Sequence, residues 1–134
     1  MLASPATAVA ADAGAVVIAI TGLRNAHGTI RICLTRNRSH FPNCSRDPDA
    51  LSRTIGADKV VAEFDGLPPG NYAVAVFHDE NNNRKLDTFL GIPREGFGFS
   101  RNPTIRFGAP KFDKVDIRIA PGFSRTSVRM QYLL

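Results

Sequence analysis

The chain has 134 residues, a formal net charge of +5 and 43% hydrophobic residues. This length suits one domain with a real core, and no stretch approaches the roughly 18 apolar residues of a transmembrane segment. The basic residues are scattered, without a run or interleaved aromatic residues, so nucleic acid is not an expected partner. An affinity for an anionic surface or a polysaccharide stays open, and we expect a monomer.

The first residues predict export. Residues 1–13 are mostly small and apolar, and they lack the basic segment and long hydrophobic stretch of a complete signal peptide. The triplet Ala6-Thr7-Ala8 is typical of the small residues that precede a signal cleavage site. We therefore interpret residues 1–13 as a signal remnant or disordered leader and residues 14–134 as a single β-sandwich domain. The expected location is periplasmic or secreted.

The first two predicted strands alternate apolar and polar residues. Val16, Ile18 and Ile20 share one face of the first strand, and residues 29–35 alternate in the same way. The sequence NAHG at 25–28 is typical of a turn, so the two segments predict a β-hairpin.

A long polar connection follows at residues 36–59. Within it, Asp47 before a proline predicts the N-cap of a helical turn. Cys44 lies in this connection, and Cys33 lies on the strand face opposite the isoleucines. A disulfide between Cys33 and Cys44 would close a short loop, add about 2–3 kcal/mol of stability and agree with export. Two free thiols are the alternative.

The later segments predict further short strands at residues 59–67, 71–79, 112–120 and 126–134. The segment 71–79, NYAVAVFHD, is apolar on both faces, which indicates a central strand covered on both sides. Glycine and proline in FLGIPREGFGFSRNP (89–103) disfavour a regular central strand there. The pattern predicts an all-β fold, a two-sheet antiparallel β-sandwich of about seven strands.

The stretch HDENNNRKLD, from His78 to Asp87, places oxygen-bearing groups at alternate residues. Such spacing can wrap a hard cation, and calcium is the cofactor that it suggests. The ligands would be the side chains of Asp79, Asn81, Asn83 and Asp87 and the backbone carbonyl of Lys85. The glycine and glutamate of an EF-hand are missing, so binding would be weak, in the approximate range 10⁻⁴–10⁻³ M. The alternative is a turn whose Asp and Asn side chains bond nearby backbone amides.

The paired motifs FDGLPPGNYAVAVFHDENNNRKLD and GIPREGFGFS resemble a widespread bacterial family of small exported proteins, catalogued as a domain of unknown function. The resemblance covers residues 15–134. It implies an immunoglobulin-like or transthyretin-like sandwich outside the cytoplasm, and it brings no established activity. Members of that family tend to have glycines inside the loop, where this chain has Asn82 and Arg84.

Two classes of function are compatible with these motifs. His78 and Glu95 could supply acid and base, but no nucleophile motif or histidine cluster accompanies them. Phe97 and Phe99 either plug the core or form an exposed aromatic platform. We expect a non-catalytic binding or structural module; the alternative is a small hydrolase-like or glycan-binding protein that uses His78, Glu95, Phe97 and Phe99 as its ligand surface.

Overall fold

A computed structural model describes residues 12–86, 88–89, 92–105 and 108–134. Ten strands are named within these ranges: β1 Gly14–Thr21, β2 Thr29–Thr35, β3 Leu51–Gly56, β4 Val61–Leu67, β5 Gly70–Asp79, β6 Thr88–Phe89, β7 Ile92–Pro93, β8 Phe97–Phe99, β9 Ile117–Ile119 and β10 Gly122–Arg129. Short 3₁₀ turns occupy Cys44–Arg46 and Phe112–Lys114. The predicted leader lies almost entirely outside the described residues. Nowhere in the described part of the chain is there a helix with the length and hydropathy needed to cross a bilayer.

The strands form two sheets that pack as a sandwich, which confirms the predicted all-β class. The first sheet has the order β10-β1-β4, and the second has the order β3-β2-β5-β8, with β9 also paired to β5. All pairs are antiparallel except β1 with β10, which run parallel. A separate small ladder joins β6 to β7. As predicted, β5 is an interior strand.

Two local predictions are wrong. β1 and β2 do not form a hairpin, because β1 lies in the first sheet and β2 in the second. Both strands point their apolar faces into the same core from opposite sides, and alternation reports the buried face of a strand without reporting its partner. Asp47 does not start a helical turn either: it accepts the Asp49 backbone amide in a tight turn before β3. β3 is an exposed edge strand, so it has no alternating apolar face to detect.

The core lies between the sheets and uses the alternating residues of the interior strands. It includes Val16, Ile18 and Ile20 of β1, Ile30, Ile32 and Leu34 of β2, and Tyr72, Val74 and Val76 of β5. A second apolar cluster covers the outer face of the second sheet, where Ala73 of β5 packs with Phe97, Phe99, Phe112 and Val115. Apolar residues therefore cover both faces of β5, as its sequence predicted.

Two glycines explain the GFGF pattern around β8. A side chain at Gly98 would approach the backbone oxygen of Arg129 to 2.9 Å, and one at Gly96 would lie 2.4 Å from the Tyr132 ring. β8 can therefore lie against the end of β10 only because these positions lack a Cβ. The backbone groups of Phe97 and Gln131 exchange hydrogen bonds at this crossing. The phenylalanines that alternate with the glycines point to the outer face.

The disulfide between Cys33 and Cys44 is present. Cys33 lies on the outer face of β2, opposite Ala75 of β5. The bond holds the connection after β2 against this face, where the Phe41 ring packs edge-on at 5.9 Å from Phe99 and 6.1 Å from Phe112. The cross-link thus keeps the aromatic cover of the second sheet in place.

Replacing both cysteines with serine should lower the free energy of unfolding by about 2–3 kcal/mol, because the cross-link restricts the unfolded chain. Guanidinium titration of the native protein and of Cys33→Ser/Cys44→Ser measures the difference. Reductant should destabilise the native protein and leave the double variant unchanged. Equal stability of the two proteins would contradict the prediction.

Candidate functional site

The carboxylate of Asp79, at the end of β5, is fully buried on the outer face of the second sheet. Its Oδ2 accepts hydrogen bonds from Arg31 Nε at 2.8 Å and from the Arg84 backbone amide at 2.8 Å. Its Oδ1 accepts the Asn83 backbone amide at 3.1 Å. One charged group therefore joins β2 to the loop that follows β5.

The loop continues the same pattern of self-bonding. Asn81 Oδ1 accepts the Asn83 amide at 3.3 Å, and Asn83 Oδ1 accepts the Lys85 amide at 3.0 Å. Asn82 and Arg84 adopt left-handed backbone conformations, with φ of 58° and 67°. Glycine adopts this conformation readily, whereas for a residue with a Cβ, such as arginine, the conformation costs about 1 kcal/mol of free energy. The loop thus holds two residues other than glycine in the backbone conformation that favours glycine.

The described ligands do not fit a calcium ion in this arrangement. Calcium needs six to eight oxygen ligands, yet both oxygens of Asp79 already accept N–H groups. The predicted ligand Asp87 lies outside the described residues. Within the described ranges, no three His, Cys, Asp or Glu side chains are grouped so that they could hold a metal. The residue spacing alone predicts calcium, whereas the geometry of the loop favours the alternative, the self-bonded turn.

His78 lies on the opposite face of β5 from Asp79 and is fully buried. Its Nε2 is 2.7 Å from the His27 carbonyl oxygen, so Nε2 must carry the donated proton. In the neutral ring Nδ1 then accepts the Tyr132 hydroxyl at 2.9 Å, and that hydroxyl accepts the Arg24 backbone amide at 3.2 Å. Both ring nitrogens are therefore engaged in joining three segments of the chain.

Arg24 forms a second connection above this histidine. Its guanidinium contacts Glu80 Oε1 at 2.7 Å, the Arg94 carbonyl at 2.9 Å and the Leu134 carbonyl at 2.7 Å. Partial burial opposes ionisation of Glu80, but hydrogen bonds from Arg24 and Asn25 outweigh it and hold the pKa of Glu80 below its ordinary value. Arg24 thereby ties the loop to the C-terminal residues.

The structure places the predicted ligand-surface residues apart. His78 faces the inner core, whereas Phe97 and Phe99 lie on the outer face and are 5% and 7% exposed. Glu95 is buried, and its Oε2 accepts the Glu80 backbone amide at 2.7 Å. Burial of both phenylalanine rings favours a packing role over an exposed platform.

A groove of about 780 Å³ runs over the outer face of the second sheet. Its apolar lining includes Ala75, Phe77, Ile92, Pro93, Phe97 and Phe99. The disulfide and residues 42–45 form one wall, and β7 and β8 contribute to the other. The groove is therefore built from both the disulfide-bonded connection after β2 and the GIPREGFGFS motif.

The groove has a charged end. Arg31 of β2 is paired across the ladder with Phe77, and Cys33 with Ala75, so the floor passes from a cation to apolar residues along β2 and β5. Arg31, Arg53 and Arg84 are among the lining residues, and the described lining contains no Asp or Glu. The arginine end lies next to the loop because Asp79 holds both Arg31 and the Arg84 backbone.

Over residues 18–127 the sequence matches a family described as "Uncharacterized protein conserved in bacteria (DUF2141)". The chain belongs to this family. The match confirms the resemblance inferred from the motifs. No curated protein and no solved structure matches this DUF2141 protein, so its site is interpreted from its own geometry.

In this DUF2141 protein, the sequence pattern does not reveal which residues bind the side chains of the HDENNNRKLD motif. Arg24 and Arg31 belong to the basic residues that are scattered along the sequence, yet they bind Glu80 and Asp79. Tyr132, the partner of His78, lies 54 residues away along the chain. The outward position of Arg31 on β2 was a usable signal, but sequence separation hid its partner.

Replacing Asp79 with alanine should lower the free energy of unfolding by about 2–4 kcal/mol, because it leaves Arg31 and two backbone amides without their buried acceptor. Denaturant titration measures the change. The control is Asp65→Ala on the exposed face of β4, which should stay within about 0.5 kcal/mol of the native protein. Equal effects of the two substitutions would show that the buried carboxylate has no special role.

Millimolar calcium should leave the thermal midpoint of the native protein within about 1 °C of its value in chelator, because N–H donors occupy the Asp79 oxygens. Differential scanning calorimetry in both buffers is the measurement. A rise of several degrees that Asp79→Asn abolishes would instead establish the loop as a calcium site.

Proposed function

We propose that this DUF2141 protein is a non-catalytic binding module that acts outside the cytoplasm and holds a small, largely apolar ligand in the outer-face groove. The groove itself carries this proposal. Its volume of about 780 Å³ falls within the roughly 300–1,000 Å³ of small-molecule sites, which are mostly apolar with a few placed polar groups.

The wall of the groove supports a periplasmic or secreted location. Cys33 and Cys44 line it as a disulfide, and disulfides persist in oxidising compartments. The groove lies on one chain and needs no second copy to complete its described lining, which agrees with a monomeric module.

The surroundings of the acidic and basic residues favour binding over catalysis. His78 uses both ring nitrogens in bonds to Tyr132 and His27, and it faces away from the groove. Glu95 is buried beneath the loop, where it accepts a backbone amide. A hydrolase would need an acid and a base that converge on one substrate position, and a glycan platform would need more exposed rings than those of Phe97 and Phe99.

A neutral apolar dye, N-phenyl-1-naphthylamine, tests the groove through its fluorescence increase on binding. Ile92→Asp should weaken dye binding about tenfold, because a charge replaces an apolar lining side chain. The matched control is Val61→Asp on the edge of the first sheet: the two side chains are 43% and 53% exposed, and only Ile92 lines the groove.

The proposal requires dye binding that responds to Ile92→Asp and not to Val61→Asp. Absence of binding, or equal loss in both variants, would refute a ligand site in the groove. Turnover of an ester or glycoside substrate that His78→Ala or Glu95→Gln abolishes, in folded variants, would establish the enzymatic alternative.

A further inference from the structure

We infer that the ligand of the groove is a single-chain amphiphile with a carboxylate head, a molecule of the fatty-acid type. The head would lie at Arg84 and Arg31, and the tail would extend over Phe77, Phe97 and Phe99. This inference rests on the proposed binding function and adds the chemical class of the ligand.

The geometry of the charged end supports an anionic head. Asp79 Oδ2 accepts both Arg31 Nε and the Arg84 backbone amide, so a single buried atom holds the Arg31 side chain and the Arg84 backbone at one end of the groove. The Arg84 side chain is exposed and forms no ion pair with any described residue. A guanidinium in this setting can bind a carboxylate through two parallel hydrogen bonds.

The charge balance selects against cationic and neutral heads. Asp79 offsets Arg31, and Arg53 is paired across the ladder with the inward-facing Ile32, which leaves Arg84 as the excess positive charge among the described lining residues. The Arg53 guanidinium lies over the Phe64 ring at 4.7 Å from its centroid, so Arg84 is the cation most available to a ligand. A cationic amphiphile would be repelled here, and a neutral one would gain no charge-assisted bond.

The apolar floor accounts for the tail. From Arg31, the cross-strand row of Phe77 and Phe97 is followed by the row of Ala75 and Phe99. Ile92 and Pro93 flank these rows on β7. This arrangement presents one charged end and one continuous apolar strip, which matches a molecule with one head and one chain.

The backbone of the loop provides a matched pair of substitutions. Arg84 and Asn82 both have left-handed φ angles, and only Arg84 lines the groove. Glycine suits both positions, so Arg84→Gly and Asn82→Gly should both fold and unfold at a slightly higher temperature than the native protein. They differ in whether a guanidinium is removed from the groove.

Isothermal titration should use dodecanoate, dodecyl maltoside and dodecyltrimethylammonium, which share chain length and differ in the charge of the head, each below its micelle concentration. We expect dodecanoate to bind at least about tenfold more tightly than the other two. Arg84→Gly should weaken dodecanoate binding about tenfold and change binding of the neutral naphthylamine dye less than about twofold. Asn82→Gly should leave both affinities unchanged.

The outcomes separate this inference from the proposed function. Dye binding in the groove with equal affinity for the three amphiphiles would overturn the ligand class and leave the binding module intact. Failure of the dye and of every amphiphile to bind would overturn both. Binding to phosphatidylglycerol vesicles that Arg84→Gly abolishes, without binding of free dodecanoate, would also overturn the inference by placing the anion in a membrane.

Discussion

The buried carboxylate of Asp79 is the interaction on which the groove side of this protein depends. A carboxylate removed from water is costly unless a charge partner and hydrogen-bond donors replace the lost solvation. Arg31 supplies the charge, and the Asn83 and Arg84 amides supply further donors. Since these donors come from β2 and from the loop, satisfying one anion fixes the loop on the sheet and holds the Arg31 side chain and the Arg84 backbone in place.

The two faces of β5 have different surroundings. Its even-numbered residues, ending at His78, lie on the inner face, and its odd-numbered residues, ending at Asp79, lie on the outer face, where Ala75 and Phe77 line the groove. His78 looks like a catalytic residue in the sequence, but its nitrogens bind Tyr132 and His27 beneath the loop. A change on the outer face can therefore alter the groove while the alternating core on the inner face remains.

The groove exists because irregular segments cover a sheet face that a simple sandwich would leave to solvent. The disulfide holds the connection after β2 on this face, and the phenylalanines of β8 reach it because Gly96 and Gly98 let β8 approach β10 and Tyr132. These covers leave an apolar strip with arginines at one end. Its asymmetry of charge is the physical basis for proposing a ligand with one anionic end.

The sequence by itself determined the strand faces, the interior position of β5, the two-sheet class and the outward Cys33, because alternation and turn residues are local properties. It also indicated that the side-chain oxygens of HDENNNRKLD bind either a cation or the backbone amides of their own loop. Tertiary structure decided which strands pair: β1 and β2 separate into different sheets, and the exposed β3 joins β2. It also decided that Arg31 and Tyr132 complete the loop and that the groove forms, since those contacts join segments distant in sequence.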